Sequence, residues 1–434
     1  MELAVVGCGY VGLVTAACLA DFGHTVTCID KDRGRVEALC KGQVPIYEPG
    51  LAELVVENAR AGRLNFVTEI APAVRRSEAV FIAVGTPSRP EDGLADMSFV
   101  YAVAEEIAGA LDKFTVVINK STVPIGSGDE VEKIIRDANP QADFAVVSNP
   151  EFLREGNAIA DFREPDRVIV GTDDPRGRAV MADIYRPLGL DSSRLLFMGR
   201  RTAEITKYAA NSFLVTKISF INEFADLCEK TGANVEDVAR GIGLDSRIGP
   251  KFLNVGPGYG GSCFPKDTSA LLRSAELMGS PLSIVGTVVD YNEGRKLRMA
   301  EKIAKAAGGS LAGKTVAILG LAFKANTDDM RGAPSLAIVG ALQAAGARVK
   351  AFDPASMEQA KPLLPGLDYC EDAYSCAAGA DILAILTEWP EFRGLDLARL
   401  KAAMATSVLV DLRNILDPAT VRRAGFTYSS VGRP

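Results

Sequence analysis

Histidine is almost absent from this 434-residue chain: His24 is the only one. Ser-His-Asp and Cys-His machinery would have to use that residue, and multi-histidine metal sites are excluded. Its position in a turn before a strand-like run suits a structural role, which leaves proton transfer to carboxylates, lysine, hydroxyls or water. Cysteine pairing signals are missing too. The eight cysteines form no C-x-x-C pair and no zinc-ribbon spacing, so neither a metal nor a disulfide framework is expected and a reducing cytoplasm is the natural setting. Basic charge is in deficit, with 48 Lys+Arg against 55 Asp+Glu and a net charge of -7. That argues against nucleic acid or an anionic membrane as the main partner, and an anionic substrate would need local basic clusters. The one long uncharged run, residues 3–20, follows Glu2 and is broken by Gly7, Gly9 and Gly12, so it reads as a buried strand and helix rather than a targeting or membrane segment.

Length predicts about three domains, or two and a substantial connecting element. A hydrophobic fraction of 48% with 24% charged residues describes an ordinary globular protein. The first thirty residues read as strand, glycine turn, helix and strand, and apolar strand-like runs return at 79–85, 114–119, 144–148 and 167–171. From Thr202 a long helical periodicity runs to Gly232, and a second long helix is expected from Pro281 to about Ala307. After a glycine-rich break at 308–313 the βα alternation restarts, with SVLVDLRN read as its last strand. The prediction is an α/β protein of two Rossmann-like, doubly wound parallel-sheet domains joined by a long-helix central region, divided as 1–196, 197–307 and 308–434.

Gly7, Gly9 and Gly12 form G-x-G-x-x-G between a strand and a helix, and Asp30 closes the next strand 18 residues later. The glycines permit a tight turn, close approach of backbone to a pyrophosphate and close helix packing, while Asp30 can accept the adenosine ribose hydroxyls. A carboxylate there disfavours a 2′-phosphate, so NAD is expected over NADP, although Lys31, Arg33 and Arg35 lie nearby. The sharpest chemical feature is GYGGSCFPKD, residues 258–267, where Cys263 precedes a helix that Pro265 can start and stands near Lys266, a setting that favours thiolate. Lys207 and Asn211 stand one helical turn apart, and NPEFLREG places Glu151 and Glu155 after a strand. Polar surface positions would give either pair equally well.

Taken together, G-x-G-Y-V-G, VGTPS (84–88), STVPIG (121–126), NPEFLREG (149–156), Lys207-x-x-x-Asn211, GYGGSCFPKD and AFKANTDDMRGAPS resemble the UDP-glucose/GDP-mannose dehydrogenases, in order and over essentially the whole chain. Ser262 and Phe264, on either side of the cysteine, favour UDP-glucose within that family. The resemblance implies an NAD-dependent, four-electron oxidation of a primary alcohol to a carboxylate, here UDP-glucose to UDP-glucuronate, through a Cys263 thiohemiacetal and thioester. It assigns proton removal to Asp267 with a water near Thr122, oxyanion stabilisation to Lys207 and Asn211, and activation of the hydrolytic water to Glu151. Cofactor contacts would come from Gly7, Gly9, Tyr10, Val11, Gly12, Asp30, Arg35, Thr86, Thr122, Glu155, Cys263, Lys266 and Arg331. Sugar-nucleotide contacts would come from Glu151, Phe152, Leu153, Arg154, Glu155, Lys207, Asn211, Arg247, Phe252, Leu253, Asn254, Val255, Gly256, Gly260, Phe323 and Lys324. Arg413 is a weaker candidate, because Leu412 stands where the family more often has glycine. A homodimer, no metal, no nucleic acid and no membrane partner complete the expectation.

Overall fold

The computed structural model describes residues 1–89 and 91–434. These form two compact units, one of Met1–Ala210 with Ser269–Gly279 and one of Asn211–Thr268 with Ser280–Pro434.

The first unit is built on β1 (Glu2–Val6), β2 (Thr25–Ile29), β3 (Leu64–Val67), β4 (Ala79–Ile82), β5 (Thr115–Asn119), β6 (Phe144–Ser148), β7 (Val168–Gly171) and β8 (Leu195–Met198). The order is β3-β2-β1-β4-β5-β6-β7-β8, and its first six strands are the doubly wound dinucleotide arrangement. Fully buried strands such as β4 (AVFI) and β5 (TVVIN) read as continuous apolar runs because helices cover both faces of a parallel sheet. Register does the positioning. Val6 pairs with Ile29 on one side and Ile82 on the other, so the carboxyl ends of β1, β2 and β4 finish level and deliver Gly7, Asp30 and Ala83 to one edge. The sheet departs from the all-parallel expectation at β6 and β7, which meet antiparallel through Ser148 and Gly171. The chain between them comprises the 149–157 loop, the single short helix Ala158–Arg163 and residues 164–167. His24 is buried with Nε2 at 3.0 Å from the Ile184 carbonyl, and burial lowers its pKa, as a structural residue requires.

The second unit carries β9 (Thr315–Leu319), β10 (Arg348–Phe352), β11 (Asp368–Tyr369), β12 (Ile382–Ile385), β13 (Val408–Asp411) and β14 (Thr427–Ser430), all parallel. The order β11-β10-β9-β12-β13-β14 repeats the topology of the first unit. This unit has one strand beyond SVLVDLRN, the expected last one. TYSS forms β14 beside β13, and its hydroxyl-bearing residues gave no apolar run to read. Long helices occur at Arg200–Thr231 and Ser283–Ala306, each within two residues of the expected bounds. Among the described residues no helix is long and apolar enough to cross a membrane.

Candidate active site

The fingerprint loop is fixed by backbone crowding. Gly7 adopts φ 107°, donates its N–H to the Ile29 carbonyl at 2.7 Å, and has no room for a Cβ, which would lie 2.6 Å from the Ala83 carbonyl oxygen. Gly12 packs against the same turn. Gly9, by contrast, faces open space and opens the helix Tyr10–Asp21, whose first N–H groups have no side-chain cap and no acidic residue in the first turn. An uncapped helix start beside an unobstructed glycine is an anion cradle, and these residues fit the pyrophosphate of a dinucleotide. Asp30 stands at the end of β2, where its carboxylate accepts from the N–H of Cys8 at 2.9 Å, the N–H of Asp32 at 3.0 Å and the Arg35 guanidinium at 3.0 Å. Partial burial pushes its pKa up, but those three donors outweigh it and hold the carboxyl below the usual range. Thr86 is buried and donates to the Thr122 carbonyl at 2.8 Å, and Ser121 donates to the Val84 carbonyl at 2.7 Å, so the VGTPS and STVPIG turns are tied together.

Beyond β6, the segment 149–156 is a loop, and so the Glu151 and Glu155 of NPEFLREG do not share a helix face. Glu151 is buried, accepting from Lys207 Nζ at 3.2 Å and the Leu153 N–H at 2.5 Å. The Lys207 ammonium also lies 5.2 Å from the Phe152 ring centroid, with Arg167 stacked on that ring at 3.6 Å. Arg154 turns the other way to an exposed ion pair with Asp161. Two further residues belong here. Lys120 is buried behind Glu151 and Lys207, donates to Asn149 Oδ1 at 3.1 Å and Tyr185 Oη at 3.4 Å, and is pushed by burial down to about 8. Glu204, buried one turn before Lys207, accepts from the N–H groups of Gly126 at 2.6 Å and Gly128 at 2.8 Å and from Ser148 Oγ at 2.9 Å. Burial raises its pKa and these bonds counter part of that. Glu204 was legible only as a polar position three residues before Lys207 on the same helix face.

In the second unit Cys263 is half-buried and immediately precedes the helix Phe264–Leu277, its carbonyl accepting the Asp267 N–H at 2.8 Å. The thiol lies 3.6 Å from Ser262 Oγ. Asp267, one turn into the helix and 1% exposed, accepts from Asn211 Nδ2 and from Lys266 Nζ, both at 2.7 Å. Lys207 and Asn211 are one turn apart on the same helix, and each is engaged with a carboxylate. The glycine loop before the cysteine is held from three sides. Asn222 Oδ1 accepts the Gly256 N–H at 2.9 Å, the fully buried Arg295 donates to the Gly256 carbonyl at 2.7 Å, and Asn292 accepts the Tyr259 N–H at 2.8 Å. A Cβ on Gly260 would strike the Gly332 carbonyl at 2.4 Å, and one on Gly261 the Phe323 ring at 2.8 Å. Phe252, at φ 65°, and Tyr259 set their rings edge-on to Phe264.

Of the residues predicted for sugar-nucleotide contact, Leu253 and Val255 are buried in the core of this unit, Asn254 is exposed, and Gly256, Gly260 and Phe323 belong to the cysteine-loop framework. Lys324 lies 5.4 Å from the Phe323 ring. Arg331 extends to solvent beside Asp329, while its carbonyl accepts the Gly261 N–H at 2.8 Å. The Arg247 side chain is 87% exposed and paired with Asp245. Arg413 is a bracket: it donates to the carbonyls of Phe323 and Leu386, both at 2.8 Å, and a Cβ on Gly256 would come within 3.0 Å of its guanidinium. Among the described residues no group of histidine, cysteine and carboxylates is disposed to hold a metal ion.

The chain matches the UDP-glucose/GDP-mannose dehydrogenase family in three successive parts: the NAD binding domain over residues 1–189, the central domain over 201–294 and the UDP binding domain over 317–418. It is 59% identical to the UDP-glucose 6-dehydrogenase of Rhizobium meliloti (strain 1021) over 436 residues, covering all of both chains. Identity to the UDP-glucose 6-dehydrogenase of Pseudomonas aeruginosa is 47% over 444 residues, covering 100% of this chain and 98% of that protein. A solved UDP-glucose dehydrogenase from the archaeon Pyrobaculum islandicum superposes with a TM-score of 0.91 at 39% identity, covering 100% of this chain and 98% of that one. The glycine fingerprint, the cysteine loop and the full-length agreement with these proteins lead to one conclusion: the chain is an NAD-dependent dehydrogenase and belongs to the UDP-glucose/GDP-mannose dehydrogenase family.

Proposed function

We propose that the chain oxidises UDP-glucose to UDP-glucuronate in two successive two-electron steps, with Cys263 holding the substrate between them. NAD, when bound, supplies the hydride acceptor for each oxidation. Asp267, with a water near Thr122, receives the proton of the sugar hydroxyl. The Cys263 sulfur then bonds to the aldehyde carbon as a thiohemiacetal, which becomes a thioester on the second oxidation. Lys207 and Asn211 stabilise the oxyanions, and Glu151 activates the water that releases the carboxylate. The observation that supports this most is the hydrogen bond from Asn211 to the buried Asp267 four residues after Cys263, because it fixes a base and an oxyanion donor beside a half-buried thiol.

On this reading residues 1–196 hold NAD, 197–307 carry the cysteine and the dimer face, and 308–434 grip the UDP moiety. A cytoplasmic setting suits a chain whose cysteines show no C-x-x-C or framework spacing. The decisive measurement is stoichiometry. UDP-glucose with excess NAD should yield two NADH per sugar consumed, and a yield of one would reject the thioester route.

We infer a homodimer from the Arg200–Thr231 helix, which leaves Phe213, Phe220, Phe224 and Leu227 exposed at helical spacing, Phe213 at 64%. Light scattering should give twice the 46.0 kDa chain mass, and Phe220→Asp should shift the population toward monomer. A strictly monomeric wild-type mass would overturn the inference.

A further inference from the structure

Asn119 closes β5 directly beneath the STVPIG turn and is 2% exposed, yet neither its Oδ1 nor its Nδ2 has a hydrogen-bond partner in the protein. Native structures rarely leave both halves of a buried amide unsatisfied, and each such group calls for an explanation. Next to it lies a cavity of about 10 Å³ whose polar lining comes from Asn119, Ser121, Thr122, Ser148, Glu204 and Lys207. That volume is the space one water centre occupies, and an internal water is stable where two to four polar groups surround it. The charges around the cavity are themselves fixed. The Glu204 carboxylate is clamped by Gly126, Gly128 and Ser148, while the Lys207 ammonium, 3% exposed, is anchored to Glu151 at 3.2 Å.

We propose that this cavity binds a single internal water, gripped by the Asn119 amide, which orients the Lys207 ammonium and makes Asn119 a positioning residue for it. The amide is both donor and acceptor, so it can accept a proton from the water and donate one to it, leaving the water a proton to give and a lone pair for Lys207. No other side chain in the lining offers both roles on separate atoms. The water site itself stands on geometry alone, whereas its effect on turnover rests on the proposed function, in which Lys207 must meet an oxyanion.

Crystals of the wild-type enzyme and of Asn119→Leu, at a resolution that shows ordered waters, test the site. The wild type should show one water within hydrogen-bond distance of both the Asn119 amide and Lys207 Nζ, and Asn119→Leu should lack it. No water at Asn119 in the wild type would overturn the proposal, whatever the activity. Kinetics test the positioning. Asn119→Leu should lose about ten- to a hundredfold in kcat with KM for UDP-glucose changed less than about twofold, since a misaimed oxyanion donor fails in the transition state rather than in binding. Asn119→Ser, which puts a hydroxyl in place of the amide and makes room for a second water, should recover part of that loss. An Asn119→Leu enzyme of wild-type kcat would overturn the positioning role, as would equal loss in both variants accompanied by equal loss of thermal stability. If the wild type turned over no UDP-sugar, the functional reading would fall while the crystal result still decided the water site.

Discussion

Cys263→Ala should still bind UDP-glucose yet form UDP-glucuronate slower by on the order of a thousandfold or more, since loss of a covalent nucleophile removes an entire route rather than one contact. On the proposed route the sulfur holds the aldehyde, and the alanine variant leaves its surroundings intact. The backbone of residue 263 accepts the Asp267 N–H, Asp267 keeps Asn211 and Lys266, and the loop before it stays anchored by Asn222 and Arg295. Calorimetric titration with UDP-glucose separates binding from turnover, and mass spectrometry of the products identifies what is released. Near-normal UDP-glucuronate formation by the variant would remove Cys263 from its assigned role.

The second large effect is expected at the fingerprint. A Cβ on residue 12 would sit 1.8 Å from the Gly7 carbonyl oxygen, 3.0 Å from the Gly7 carbonyl carbon and 3.2 Å from the Ala83 Cβ. None of these is the end of a flexible side chain, so the turn itself must move, at a cost of about 1–3 kcal/mol or more. Gly12→Ala should therefore lower the melting temperature and weaken NAD binding at least about tenfold, because about 1.4 kcal/mol is already a factor of ten. Gly9→Ala supplies the contrast. Its Cβ meets nothing, and its φ of -75° suits alanine, so stability should hold while NAD affinity falls as the methyl occupies the approach to the helix start. Thermal melts and NAD titrations of both variants check this pair. Unchanged NAD affinity in Gly12→Ala would mean that the turn does not form the cofactor cradle.

What the sequence made legible were features whose cause is local. Glycines 7, 9 and 12 answer to a turn a few residues long, and the periodicity of the Arg200–Thr231 helix repeats within every window of it. Cys263, Lys266 and Asp267 lie within five positions of one another. Residues whose partners are distant in the chain left no such trace. Glu204 bonds to Gly126 and Gly128 across 78 and 76 residues, and Arg295 reaches Asn222 across 73. Their polarity alone resembles that of any exposed helix position, and only the fold shows that they are buried. Strand β14 escaped for a related reason: it pairs with β13 through its backbone while all four of its side chains carry a hydroxyl. Arg413 was visible but undecided, and the carbonyls of Phe323 and Leu386 supply its partners.

Glu48 is one more such residue, buried and bonded to three places at once: the Tyr10 hydroxyl of the fingerprint helix and the N–H groups of Gly156 and Ala158, at 2.6 and 2.7 Å, at the end of the NPEFLREG loop. Tyr10, its own pKa raised by burial and by this carboxylate, stays a proton donor across the whole working range. The Gly156 and Ala158 amides cannot exchange with solvent without breaking bonds to the carboxylate that also holds Tyr10. The start of the fingerprint helix and the loop bearing Glu151 thus belong to a single cooperative unit of local opening, although well over a hundred residues of chain separate them.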